Sequence, residues 1–153
     1  MNGSHEGRLV CFCGIDGSGK STHLRLIRQT LKARGYSVKA IRLITRRGAF
    51  FRCLEPLIGQ IPDQLYCDIF VFQRHLKALT RLRRELMSYD SVLCDRYLLC
   101  DQAYTIGYGC KTDTINLMVK RVPQPDLILL FDVPAEIASL LPTGQLDFFA
   151  LIR

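Results

Sequence analysis

The sequence predicts a three-layer α/β domain with a parallel sheet at its centre, and three features carry that prediction. A short apolar run over residues 9–13 enters a glycine-rich turn, and an amphipathic helical pattern over 21–34 follows it. A second strand pattern over 37–43 comes next, and strand, helix, strand in that order implies a right-handed crossover onto a parallel neighbour. Polar and glycine residues collect just after strand ends, at 14–20, 45–48, 95–97 and Asp132, where open parallel sheets bind ligands.

Each element has its own signal. Leu24, Ile27 and Leu31 recur at spacings of three and four along the first helix, and Gly35 closes it. Val38, Ala40, Ile41 and Leu43 mark the second strand. Residues 45–60 lack a clean period and read as a loop with a short helix around 53–58. Pro62 and Asp63 then start a long helix, in which Leu65, Ile69, Phe72, Leu76, Leu79, Leu82 and Leu86 recur at three and four up to an end near Tyr89 and Asp90. A third apolar strand over 91–94 runs into Asp95, Arg96 and Tyr97. The stretch CDQAYTIGY, 100–108, has no period; a loop lining a site and plain surface packing both fit its residue types. A helix over 112–121 stops before Pro123, residues 127–131 form the most secure buried strand of the chain, and Pro134 opens a further helix at its first turn.

Composition bounds the function. The 153 residues, 48% hydrophobic and 23% charged, build the core of one compact domain and leave little for a second. Seven cysteines, at 11, 13, 53, 67, 94, 100 and 110, are scattered without zinc-type pairing, and buried thiols of a reduced, cytoplasmic protein account for them. No charged leader with a cleavage site is visible and the apolar runs are far short of a span, so neither secretion nor membrane insertion is expected. The net charge of +7 favours an anionic partner. The arginines at 42, 46, 47, 52, 74 and 96 are dispersed rather than gathered in one tract, which favours a small nucleotide over nucleic acid.

The chemistry starts at GIDGSGKST. Gly14, Gly19, Lys20 and Ser21 have the spacing of a phosphate-binding loop between a strand and a helix. Glycines let backbone amides surround phosphate oxygens, and the helix N-terminus adds partial positive charge. Gly14, Gly17, Ser18, Gly19, Lys20, Ser21 and Thr22 are therefore the candidate donor-phosphate residues, with Lys20 neutralising the transferring group and Ser21 holding Mg²⁺. At the third strand end, Asp95 is placed to support the metal or orient a phosphate, and Arg96 to grip phosphate oxygens with its planar fork. A loop salt bridge or helix cap is the plainer reading of that pair taken alone. Phe70 and Arg74, four apart on the long helix, share a face that suits a flat ring and its polar edge; core packing and a surface arginine are the ordinary alternative. His5, His23 and His75 form no metal cluster by spacing.

Taken in order, these segments resemble the thymidylate kinases, the dTMP kinases of the P-loop nucleoside monophosphate kinase superfamily, from Val10 to about Ile137. The resemblance implies a three-layer α/β/α P-loop kinase fold, ATP and Mg²⁺, and a homodimer. It places Asp16 beside the acceptor's phosphate or sugar, Phe70 against thymine, Arg74 on the base edge, Arg96 on the acceptor phosphate and Tyr104 against the deoxyribose. Arg46 and Tyr97 join the implied substrate-binding set, and Lys20, Asp16, Arg96 and Asp95 make the catalytic set, Ser21 and Asp95 being the metal pair. PDLILLFDVPAE, 125–136, resembles the family's fourth strand and the helix after it.

The chain also departs from that pattern. Cys13 stands where the family commonly has a glutamate, Arg47 where a glutamate follows the arginine matched by Arg46, Cys100 and Asp101 where many members have two serines, and Thr105 where a glutamine is usual. After Ile137 the family's arginine-bearing lid is missing between Ala138 and Gln145, and residues 146–153 resemble the helix that follows it. The expected organisation is one P-loop kinase domain over 1–153 without the lid and part of the C-terminal region. The expected activity is ATP-dependent phosphorylation of dTMP to dTDP; a kinase for another nucleoside or nucleoside monophosphate, and a catalytically weak nucleotide-binding regulatory protein, are the alternatives.

Overall fold

A computed structural model describes residues 6–43 and 60–140. Four strands, β1 (Arg8–Gly14), β2 (Val38–Ile41), β3 (Ser91–Asp95) and β4 (Leu127–Phe131), form one sheet in the order β2-β3-β1-β4, every pair parallel. The helices are α1 (Lys20–Ala33), α2 (Asp63–Lys77), α3 (Arg83–Leu86), α4 (Leu98–Gly107), α5 (Asp113–Val119) and α6 (Ala135–Leu140). The expected short helix at 53–58, Arg46 and the lid-like segment after residue 140 lie outside the described residues.

Strand alternation sorts the core into two layers. Phe12, Val38 and Leu93 point to one face, where Leu24, Ile27 and Leu31 of α1 cover them. Leu9, Cys11, Val92 and Cys94 point to the other, against Ala78, Leu82 and Leu86. The strand edges are pinned by two aspartates. Asp90 accepts from the Ser37 N–H and hydroxyl, both at 2.7 Å, and so holds β2 level with β3. Asp126 accepts from the Leu9 N–H at 2.8 Å and from Arg8 Nη1 at 2.7 Å, which does the same for β4 and β1.

Three expectations are corrected. The long helix runs from α2 through a π-helical turn, Ala78–Leu82, into α3 and ends at Leu86. The turn carries extra residues and rotates the stripe by roughly a quarter turn. Leu82 and Leu86 therefore reach the core, while Leu65, Phe72 and Leu76 are about half exposed and Cys67, Val71, Arg74 and His75 face inward. Residues 100–108 are largely helical, in α4, which buries Cys100, Asp101 and Thr105 and leaves Leu99 and Ile106 outside. Among the described residues β4 is the last strand of the sheet: Leu129 and Phe131 pack inward, and Leu130 is 71% exposed.

Candidate functional site

The loop between β1 and α1 is folded by its glycines. Gly19, at φ +83°, is the residue before α1, so the first amides of that helix open towards the loop. Gly17, at φ +80°, lies so close to α6 that a Cβ there would stand 2.2 Å from the Ala138 carbonyl oxygen. The side chain of Lys20, first residue of α1, turns back into the loop, where its ammonium donates to the Ile15 carbonyl and, at 3.1 Å, to Ser18 Oγ. Burial, and then the Arg96 cation, hold Lys20 below the usual lysine range, while Asp16 and Asp95 pull the other way. Ser21, on the next position of α1, is exposed.

β3 delivers the second group beside the first, because β1 and β3 are parallel neighbours that end together: Phe12 is level with Asp95. The chain then turns sharply at Arg96, whose N–H donates to the Phe12 carbonyl at 3.0 Å and whose φ is +67°. A left-handed arginine costs on the order of 1–3 kcal/mol and persists where the surroundings fix it. Here they aim its guanidinium at the Asp16 carboxylate of the loop and over the Tyr104 ring, 5.2 Å from its centre. Asp95 is buried and pairs with Arg42 through one carboxylate oxygen; the other, Oδ1, accepts no hydrogen bond among the described residues. A spare carboxylate oxygen at the end of β3 and an exposed hydroxyl on the first turn of α1 are the oxygen donors that Mg²⁺ takes, so the chemistry of Asp95 and Ser21 fits the ion.

A second cluster forms where α2 faces α4. Arg74 lies over the Phe70 ring, 5.0 Å from its centre, and its Nη1 is 2.5 Å from Asp101 Oδ1, both side chains being buried. Burial pushes the Asp101 carboxyl up to about 7, against the pull of Arg74. Asp101 is the residue of this cluster that sequence spacing missed; the signal was a carboxylate in an apolar stretch six residues before a Gly-Tyr-Gly turn, with no helical period to place it. Cys13 and Cys100, two of the departures from the family pattern, act on each other electrostatically. The influence of Cys13, then the backbone amides of Gly14 and Tyr97 and the Arg96 charge, draws Cys100 down to about 6 against the effect of its burial.

The structure thus joins Asp16, Lys20, Asp95, Arg96 and Tyr104 around the strand ends, and Phe70 with Arg74 in the adjoining wall. Tyr97, expected beside the substrate, is 1% exposed in the core, and its hydroxyl donates to the Pro123 carbonyl at 3.0 Å. Arg46 falls outside the described residues. Among the described residues no helix is long and apolar enough to cross a membrane.

A family model described as thymidylate kinase matches residues 12–140. Among curated relatives, the probable thymidylate kinase of Archaeoglobus fulgidus is 29% identical, over 95% of this chain and 78% of that protein. The thymidylate kinase of an Exiguobacterium strain is 32% identical, over 93% of this chain and 72% of that one. In fold, the chain is similar to the crystal structure of thymidylate kinase from Ehrlichia chaffeensis, with a TM-score of 0.67 at 24% identity over 88% of this chain and 77% of that chain.

Proposed function

The chain belongs to the thymidylate kinase family, and on that premise we propose that it transfers the γ-phosphoryl group of ATP to dTMP, giving dTDP and ADP. The observation that carries the reading is the Arg96–Asp16 pair, which brings a strand-end arginine into the phosphate-binding loop across 80 residues of chain. A site with a donor cradle and an acceptor-phosphate grip in contact is built for transfer between two phosphates.

The loop amides from Gly14 to Thr22 surround the donor phosphates, and Lys20 leaves its loop carbonyl to neutralise the group in flight. Arg96 holds the acceptor phosphate, its direction set by Asp16 and the Tyr104 ring. The acceptor oxygen is already ionised, so the residues supply alignment and charge rather than a strong base. Ser21 and Asp95 would hold Mg²⁺, which when bound spreads the charge of the donor phosphates. Phe70 offers its ring to the base, Arg74 its N–H groups to the base edge, and Tyr104 packs against the sugar; Arg46 belongs to the same proposed substrate-binding set. Tyr97 supports them from the core rather than touching the nucleotide. The reading is tested by a coupled ADP-release assay across dTMP, dUMP, other monophosphates and nucleosides: dTMP gives the highest kcat/KM, and strong turnover of another acceptor without turnover of dTMP overturns it.

The exposed stripe Leu65, Phe72 and Leu76, with Met118 and Thr114 of α5 beside it, supports self-association as a homodimer, since contiguous apolar surface of this kind is covered in stable proteins. Light scattering would show a dimer that Phe72→Asp splits. Free thiols at all six described cysteines fit a reducing cytoplasm.

A further inference from the structure

The sulfurs of Cys67 and Cys110 lie 3.3 Å apart. Cys67 is on the second turn of α2 and is buried; Cys110 lies between α4 and α5 and is the one described cysteine that is not buried. Their segments are already clasped next to the sulfurs. The Lys111 N–H donates to Gln64 Oε1 at 2.8 Å, and Gln64 Nε2 donates to the Lys111 carbonyl at 3.4 Å. A backbone fixed on one side of the pair limits the motion needed to join it, and bonded sulfurs stand about 2.05 Å apart, so closure asks for an approach of little more than about 1 Å.

We propose that Cys67 and Cys110 are a redox-sensitive dithiol that closes into an intramolecular disulfide and fastens α2 to the α4–α5 loop, with a small-molecule disulfide such as oxidised glutathione as the oxidant. Cys110, the accessible partner, attacks first as its thiolate: its sulfur bonds to one glutathione sulfur and the other leaves as a thiolate. Cys67 then attacks the Cys110 sulfur, gives up its proton to a glutathione thiolate and expels the second glutathione. Two protein thiols are oxidised and one glutathione disulfide is reduced to two thiols. Burial, the Cys110 contact and the charges of Asp63 and Asp68 push the Cys67 thiol up to about 12, which keeps it protonated until that second step and makes closure faster as pH rises.

The link reaches the site through both of its walls. Phe70 and Arg74 follow Cys67 at three and seven residues on α2, and Asp101 and Tyr104 sit on the helix that leads to Cys110. Closing the disulfide fixes the spacing between those walls and alters KM for the acceptor more than KM for ATP; this consequence, unlike closure itself, rests on the function proposed above.

The whole chain is equilibrated in glutathione buffers of graded ratio, quenched by alkylation and mapped by peptide mass. The expected result is a Cys67–Cys110 linked peptide, about 2 Da lighter than its reduced parts and reversed by dithiothreitol. Oxidised protein should melt about 5–10 °C higher than reduced, and Cys110→Ser should lose both effects. Separate alkylation of the two thiols at every ratio overturns the proposal, as does a link confined to Cys13 and Cys100 or to two chains. Both outcomes are read on the unaltered protein, so they stand whether or not a variant folds. A linked peptide in protein that never phosphorylates dTMP upholds the dithiol and overturns the function instead.

Discussion

The donor loop and the acceptor wall meet at the Asp16–Arg96 pair, and they are made of different material. The loop works with backbone: consecutive residues, amides turned inward by Gly17 and Gly19, and a single reaching cation, Lys20. The wall works with side chains brought from α2, the β3–α4 turn and α4, in two ion pairs and two cation–ring contacts. A backbone site tolerates many side chains and rejects an added Cβ. A side-chain site keeps its shape under small backbone changes and is undone by loss of a single charge, because the partner is left buried and alone.

Substitutions on the two sides should therefore fail in different ways. Lys20→Ala removes the loop's reaching cation and should lower kcat about 100- to 1,000-fold at unchanged fold, measured by ADP release and circular dichroism. Arg96→Lys keeps the charge and loses the fork; kcat/KM for dTMP should fall about 10- to 100-fold with little change in KM for ATP. Gly17→Ala places a methyl on the Ala138 carbonyl in a left-handed backbone, and should destabilise the protein by about 1–3 kcal/mol in urea titration while weakening ATP binding. If Gly17→Ala were silent and Gly17 freely replaceable, the backbone half of the comparison would fall.

Smaller effects test the wall by pH. Asp101 is raised to about 7, so above that pH its carboxylate holds Arg74, and below it the protonated acid releases that hold. KM for dTMP should rise several-fold as pH falls through 7, and the difference should vanish in Asp101→Asn, whose KM resembles the acidic limit at every pH. Asp126 supplies the mildest case. Its carboxyl is held below the usual range by Arg8 and the Leu9 amide, so the stability it adds is present above its unfolded pKa and disappears as pH falls through the lowered folded value. Asp126→Asn should cost about 1 kcal/mol or less at pH 7 and progressively less as pH falls through the lowered folded value, by thermal melts.

The same division governs what could be read in advance. Strands, crossovers and the donor loop follow from contiguous patterns, because the loop's function is written in one unbroken run from Gly14 to Thr22 and the central strands β1 and β3 bury both faces. The two helices of the wall are inverted. α2 turns Arg74 and His75 inward and Phe72 outward, and α4 buries Asp101 and Thr105 while exposing Ile106, since their inner faces bound a polar site rather than a core. Apolar periodicity therefore marks the wrong side of α2 and marks nothing on α4. The π-helical turn that separates the outward stripe from the inward Leu82 and Leu86 has no signal in residue spacing. The placement of β4 at the edge was equally hidden, because an edge strand and a central strand share the same apolar letters.

That edge has a bearing on how the protein behaves at concentration. Residues 127–131, LILLF, form a continuous apolar β-segment, last in the sheet among the described residues and with Leu130 exposed there, the composition that recruits further strands when chains meet partly unfolded. Asp126 and Asp132 bracket it, and a charge at either end repels a second copy stacking in register. The aspartate that sets the register of the sheet thus also acts as a gatekeeper for solubility, so neutralising both ends of the segment would shorten the protein's life in solution well before it altered a single rate constant.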